Sequence, residues 1–305
     1  MDEPDGGVLS HAAFCYRSQP EYAAAIVAFV QTGLAAGEPT MVAVPGANAR
    51  AIGDRLDDVP GEVVFTDMAE LGRNPARIIP EVRAFLDKHP GQRARFVGEP
   101  IWLGRSAAEI CEATRHEALL NLAFAQAPMT ILCPYDASGL PGSVLADARR
   151  THQEPASAGA TGQTWRDNLP PGCDRPLHPP PAGAEALAYE KGLAPVRRLV
   201  AGHAQRAGLD AERTIDLVLA ANEIAANTIS HTTGSGALHV WDTSEEIVCQ
   251  VHDQGKITDP LAGRVRHGPD DRGHGLWLVN KVCDLVELRT GPAGTTVRMH
   301  MRLTS

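Results

Sequence analysis

The sequence lacks an apolar run long enough to cross a bilayer. Its longest, Tyr22 to Val30, is about half of the roughly 20 residues that a spanning helix needs, so no membrane association is expected. It also lacks an excess of positive charge. Twenty-eight Lys and Arg stand against 37 Asp and Glu, a formal net charge of −9, which argues against a chain whose task is to hold a phosphate backbone. Nucleic acid is therefore not an expected partner. The start, Met1-Asp2-Glu3-Pro4-Asp5, has neither the basic nor the apolar region of a secretion signal, and the expected location is the cytoplasm. Paired cysteines are missing too. Cys15, Cys111, Cys133, Cys173, Cys249 and Cys283 lie far apart with no C-x-x-C, a spacing that reads as reduced thiols rather than a disulfide framework or a zinc site. What remains is a globular composition, 43% hydrophobic, 21% charged and 5% aromatic, in 305 residues, about two domains' worth.

The division falls in a stretch rich in proline. Pro155, Pro170, Pro171, Pro176, Pro179, Pro180 and Pro181 favour extended, semi-rigid geometry, so residues 153–183 are expected to be a linker between domains at 1–152 and 184–305. In the first domain, Thr40–Val44, Val63–Phe65, Ala94–Val97 and Met129–Cys133 read as buried strands. Helical stretches alternate with them, at Pro20–Gly33, Asn48–Leu56, Ile78–Lys88 and Ser106–Ala125. That alternation predicts a mostly parallel sheet with helices on both faces. Pro45-Gly46-Ala47-Asn48-Ala49-Arg50, after an early strand, has no lysine of the phosphate-binding kind, and nothing supports phosphate binding in this half.

His11-Ala12-Ala13-Phe14-Cys15-Tyr16, the apolar helix that follows, Gly37-Glu38-Pro39 before a strand, and Arg115-His116-Glu117-Ala118-Leu119-Leu120-Asn121 together resemble the MEDS sensory domain over roughly residues 8–150. The resemblance implies a RecA-like core without a phosphate loop, acting as the input module of a bacterial regulator. The sensed signal, a small molecule or a redox change, is not named by any residue. His11 and Cys15 read either as ligands of a cofactor such as haem or, the favoured reading, as a packed histidine and a small buried thiol on the first strand. His116 and Glu117 read either as an acid/base pair or, preferably, as capping or interface residues.

The second half is more informative. In 211–231, AERTIDLVLAANEIAANTISH, Leu217, Ala220, Ala221, Ile224 and Thr228 form one buried helical face. Glu223, Asn227 and His231 fall at i, i+4 and i+8 along another. A strand at Glu246–His252 ends in Asp253-Gln254-Gly255, a carboxylate acceptor beside a permissive turn. After a Gly-, Arg- and Asp-rich stretch, Gly273-His274-Gly275-Leu276 opens a helix, whose N-terminal N–H groups and positive dipole end suit phosphate. Gly294-Thr295-Thr296-Val297 then enters a last strand, Val297–Met301.

These four elements in this order resemble the N, G1, G2 and G3 boxes of the GHKL (Bergerat-fold) ATP-binding superfamily over about 190–303. The resemblance implies an α/β sandwich, a mixed sheet with helices on one face, and the domain reads as beginning with a helix at Ala184–Ala207. It implies ATP and Mg²⁺ as ligands. By it Asn227 is the Mg²⁺ ligand, Glu223 the general base, Asp253 the adenine anchor with Gly255 admitting the base, and Gly273 and Gly275 the phosphate-cradling glycines beside Leu276. Lys256–Arg272 is then the lid and Thr296 an assistant to the Asp253–adenine contact; His231 fits a pattern common in one branch of the superfamily, and the favoured reading for it is a structural hydrogen-bonding role.

Within the superfamily the second half is similar to anti-sigma-factor serine kinases, which bind a sigma factor and phosphorylate a Ser or Thr on an STAS-domain antagonist. The expected function is thus a signal-responsive anti-sigma regulatory kinase; homodimerisation follows only from family analogy. Two alternatives stay open: a non-catalytic ATP-dependent binding switch, and an atypical histidine kinase. For the latter His203 is a poor phospho-acceptor, with no acidic residue directly after it and no dedicated helical hairpin.

Overall fold

In the computed structural model, which describes residues 9–56, 63–152, 165–170, 172–232, 234–265 and 274–303, the apolar runs of the first half become five strands: β1 (Ser10–Tyr16), β2 (Thr40–Val44), β3 (Val63–Asp67), β4 (Ala94–Gly98) and β5 (Met129–Asp136). They form one sheet, ordered β1-β5-β4-β2-β3, with every pair parallel. Every residue of β2 is buried, as expected of a strand covered on both faces.

The connecting helices are α1 (Gln19–Ala35), α2 (Gly46–Gly53), α3 (Met68–Leu71), α4 (Ile78–Asp87), α5 (Ala107–Ala123) and α6 (Gly142–Thr151). Local chemistry sets their starts. The Ser18 hydroxyl accepts from the Glu21 N–H, and Ser106 with Glu109 forms a reciprocal capping box that starts α5. Val42, Val44 and Val97 pack with Tyr22, Ile26 and Val30 of α1 and Ile52 of α2 on one sheet face. The alternate residues, among them His11 and Cys133, point to the other face and meet α5 and the end of α6. Just beyond β4, Glu99 is buried and accepts from Tyr16 Oη (3.3 Å), Tyr22 Oη (2.8 Å) and Asn48 Nδ2 (3.0 Å). Burial pushes its carboxyl up to about 7 despite those donors.

The chain divides into two compact units, residues 1–173 and 174–305. The expected linker is thus not a spacer throughout. A short 3₁₀ turn, Trp165–Asn168, lies within the first unit, and Leu169 is buried. Cys173 is disulfide-bonded to Cys111 of α5, with Cα atoms 5.3 Å apart, and its carbonyl accepts from Arg115 Nη1 at 3.0 Å. The reading of six reduced thiols is therefore corrected. A sequence separation of 62 hides a pair that folding brings together.

The second unit is a five-stranded sheet ordered β6 (Glu185–Tyr189), β7 (Gly236–Asp242), β8 (Glu246–Asp253), β10 (Gly294–Arg302), β9 (Leu285–Gly291). Three helices, α7 (Ala194–Arg206), α8 (Ala211–His231) and α9 (His274–Val282), share its core with Val240, Cys249, Val251, Val297 and Met299. Two expectations change here. The described strand pairs are all antiparallel, so the sheet is not mixed. The helix expected at Ala184–Ala207 begins only at Ala194, because Glu185–Tyr189 alternates and pairs with β7, and Gly192 at φ 76° turns the chain between them. Among the described residues no helix is long and apolar enough to cross a membrane.

Candidate nucleotide site

Helix α8 starts where Asp210 accepts from the Arg213 N–H. It buries Leu217, Ala220, Ala221, Ile224 and Thr228, the face expected from the spacing. The i, i+4 placement then sets Glu223 and Asn227 side by side. The first turn of α9 lies against both: a side-chain carbon at Gly275 would stand 3.0 Å from Glu223 Oε2 and 3.4 Å from Asn227 Nδ2. Any residue but glycine there would crowd this pair. Gly273 and residues 266–272 of the expected lid lie outside the described residues.

A cleft of about 810 Å³ opens beside Asn227, bounded also by His231, Asp253, Gly255, Lys256, Leu276 and Thr295. Glu223 is not in its lining; its carboxylate faces Gly275 next to Asn227. His231 is exposed at the end of α8.

Asp253 closes β8 and belongs to the parity of Ile247, Cys249 and Val251, which faces the helices. Its side chain therefore turns toward α8. There Thr228 Oγ1 donates to Asp253 Oδ2 at 2.7 Å, while Tyr189 Oη donates to Thr228 at 3.0 Å. Burial, first, raises the Tyr189 phenol above its ordinary value, which keeps it a donor. Gly236 makes this chain possible, since a side-chain carbon there would stand 2.5 Å from Tyr189 Oη. The Gly255 N–H donates to Asp253 Oδ1 at 2.8 Å. Each carboxylate oxygen thus takes one bond from the protein and keeps acceptor capacity for a ligand amine. A side-chain carbon at Gly255 would come within 2.7 Å of Thr232 Cγ2 and 2.9 Å of Asp253 Oδ1. A side chain at Gly255 would therefore push aside Thr232 or the Asp253 carboxylate.

Thr296 is corrected. It pairs with His252 and bonds that ring's Nδ1 at 3.0 Å, on the sheet face opposite Asp253. Thr295 is the residue in register with Asp253, and it lines the cleft. Its hydroxyl donates to the Gly255 carbonyl at 2.9 Å, tying the start of β10 to the Asp-x-Gly turn. A strand's period of two decides between neighbouring threonines, and the exact register is not visible in Gly294-Thr295-Thr296. Thr228 was likewise absent from the expected site, although its position directly after Asn227 on a buried face was the available signal.

These donors fit a nucleotide with a cation. The Asn227 amide oxygen offers the kind of hard, neutral ligand that Mg²⁺ takes beside phosphates and water, and the Asp253 carboxylate offers acceptor capacity to an amine.

His203 lies on α7, buried, with Nδ1 2.7 Å from Glu185 Oε1 and Nε2 2.8 Å from Asp242 Oδ1. Both ring nitrogens are engaged within the fold. In the first unit, Cys15 is exposed, against the expectation of a buried thiol. It takes no part in the group around His11, whose Nε2 instead faces Glu117 and Cys133, so the paired haem-ligand reading fails. His116 and Glu117 are buried in the middle of α5, which removes the capping reading.

Comparison with protein families agrees with this division. Residues 10–153 match the model of MEDS, the MEthanogen/methylotroph, DcmR Sensory domain, and residues 187–301 match the Histidine kinase-like ATPase domain. No curated protein matches the chain. The second match covers Glu223, Asn227, Asp253 and Gly275, so the cleft lies within an ATPase-type domain and supports an ATP-binding regulatory role. The chain thus joins a MEDS sensory domain to a histidine-kinase-like ATPase domain.

Proposed function

We propose that the second unit binds Mg²⁺ and ATP in this cleft and acts as a serine/threonine protein kinase on an STAS-domain antagonist, thereby controlling a sigma factor in the cytoplasm. The MEDS unit supplies the input, a small molecule or a redox signal. The observation that carries the reading is the meeting of Glu223 and Asn227 against Gly275, beside a cleft that Asp253 also lines. Glu223 would orient or deprotonate the attacking hydroxyl. Mg²⁺ on Asn227 would supply neutralisation of the developing phosphate charge.

One observation favours a second reading. Glu223 stands outside the lining of the cleft, which suits a switch that binds ATP and sequesters a partner without phosphotransfer. A histidine kinase is disfavoured, because His203 is buried between two carboxylates.

Calorimetric titration of the full chain with a non-hydrolysable ATP analogue is expected to show magnesium-dependent binding, weakened at least tenfold by Asp253→Ala and by Asn227→Ala. Absence of binding to the unaltered chain would refute the site. With an STAS-domain protein and labelled ATP, acid-stable phosphate is expected on the partner, lost in Glu223→Ala while analogue binding persists. Full transfer by that variant would overturn the base assignment, and binding without transfer would establish the switch.

A further inference from the structure

Four side chains from distant parts of the first unit converge in its interior: His11 from β1, Glu117 from α5, Cys133 from β5 and His152 at the end of α6. Their ligand atoms all lie within 4.8 Å of one another. His11 Nε2 is 3.1 Å from Glu117 Oε2 and 3.3 Å from Cys133 Sγ. His152 Nε2 is 3.3 Å, and Cys133 Sγ 3.5 Å, from the same carboxylate oxygen. The side chains of His11, Glu117 and His152 are 3%, 0% and 2% exposed, so water does not screen this group.

The outer nitrogen of each imidazole is already committed. His152 Nδ1 lies 2.7 Å from the Ala148 carbonyl, which can only accept, so Nδ1 carries the proton. His11 Nδ1 lies 2.9 Å from Asn121 Oδ1. The Asn121 amide is oriented by its own donation from Nδ2 to the Thr151 carbonyl at 2.9 Å, so its oxygen faces His11 and takes that proton. In the neutral rings both Nε2 lone pairs therefore point inward, toward a carboxylate that also offers lone pairs. Glu117 Oε1 and His152 Nε2 are buried without a hydrogen-bond partner. The Cys133 S–H, a weak donor, reaches Glu117 Oε2 at 3.5 Å, and a cation that displaces that proton satisfies the remaining converging acceptors.

We infer that His11, Glu117, Cys133 and His152 form a closed site for a divalent transition metal, best matched to Zn²⁺. Bonds of about 2.0–2.3 Å in tetrahedral geometry place ligand atoms roughly 3.3–3.8 Å apart, and the four separations above span 3.1 to 3.5 Å. Two imidazoles, a thiolate and a carboxylate are zinc ligands. The two anions balance the metal's charge, which suits a buried centre. Binding replaces the Cys133 proton, released to solvent, with a sulfur–metal bond. Asn121 is a positioning residue, fixing the His11 ring.

The test uses the full chain, stripped of metal by chelator and titrated with Co²⁺ and then Zn²⁺. Expected is one equivalent of Co²⁺ with a thiolate-to-cobalt charge-transfer band, displaced by Zn²⁺. The band is lost in Cys133→Ser and kept in Cys15→Ser, and affinity falls about 10–100-fold in Asn121→Ala. Absence of a stoichiometric band in the unaltered chain would overturn the inference whether or not the variants fold, as would a band surviving Cys133→Ser.

Discussion

At the scale of the residue, the cleft depends on side chains whose partners lie far along the sequence. Asp253 is aimed by Thr228, and Thr228 by Tyr189. This gives the threonine hydroxyl a task that valine, of the same shape, cannot perform. Thr228→Val is expected to leave the unit folded, since Thr228 is buried among the α8 core positions, but to weaken binding of an ATP analogue about tenfold, by roughly one hydrogen bond to a charged group. Calorimetry on the full chain checks this, and unchanged affinity would mean that Asp253 orients itself. Glu223 and Asn227 were legible in the sequence because a helix's period brings i and i+4 together whatever else the chain does. Thr295 was not, because choosing it over Thr296 requires knowing which face of β10 meets Asp253.

At the scale of the element, the sheet of the second unit has an apolar face toward the helices and a polar one behind it. On that second face His300 of β10 sits between Glu246 and Glu287, 3.0 Å from each. Burial alone would lower its ring, but the two carboxylates push it up to about 9. A group with a raised native pKa contributes stability that is complete below its unfolded value, near 6.5, and is lost as pH rises through about 9. The contribution is at most about 3 kcal/mol, reduced because Glu246 is partly exposed. Protection of β8 and β10 amides in hydrogen exchange is therefore expected to fall between pH 7 and 10 more steeply in the unaltered chain than in His300→Gln. Equal slopes would show that the ring is not charged in the native sheet. The alternation that builds this ladder is visible in Glu246–His252 as a strand. The short run Glu185–Tyr189 read as helix instead, because five residues carry too little period and only pairing with β7 decides it.

At the scale of the whole molecule, two units with separate cores carry two candidate binding centres. If the sensory unit regulates the ATPase-type unit through its metal centre, loading that centre changes the dissociation constant of the ATP analogue by some factor. The analogue must then change the metal's by the same factor, within the roughly 5–150-fold range usual for such coupling. Paired titrations, with Zn²⁺ present and absent and with analogue present and absent, check this. A factor of one in both directions would exclude regulation through this centre. The sequence by itself determined the division into two folds, the parallel sheet and the helix bearing Glu223 and Asn227, because apolar period and proline-rich composition act over short stretches of chain. Only the tertiary structure decided the Cys111–Cys173 bond, the face of Thr295 and the meeting of His11, Glu117, Cys133 and His152. Each of these joins residues from separate elements, and only the packed chain sets that distance.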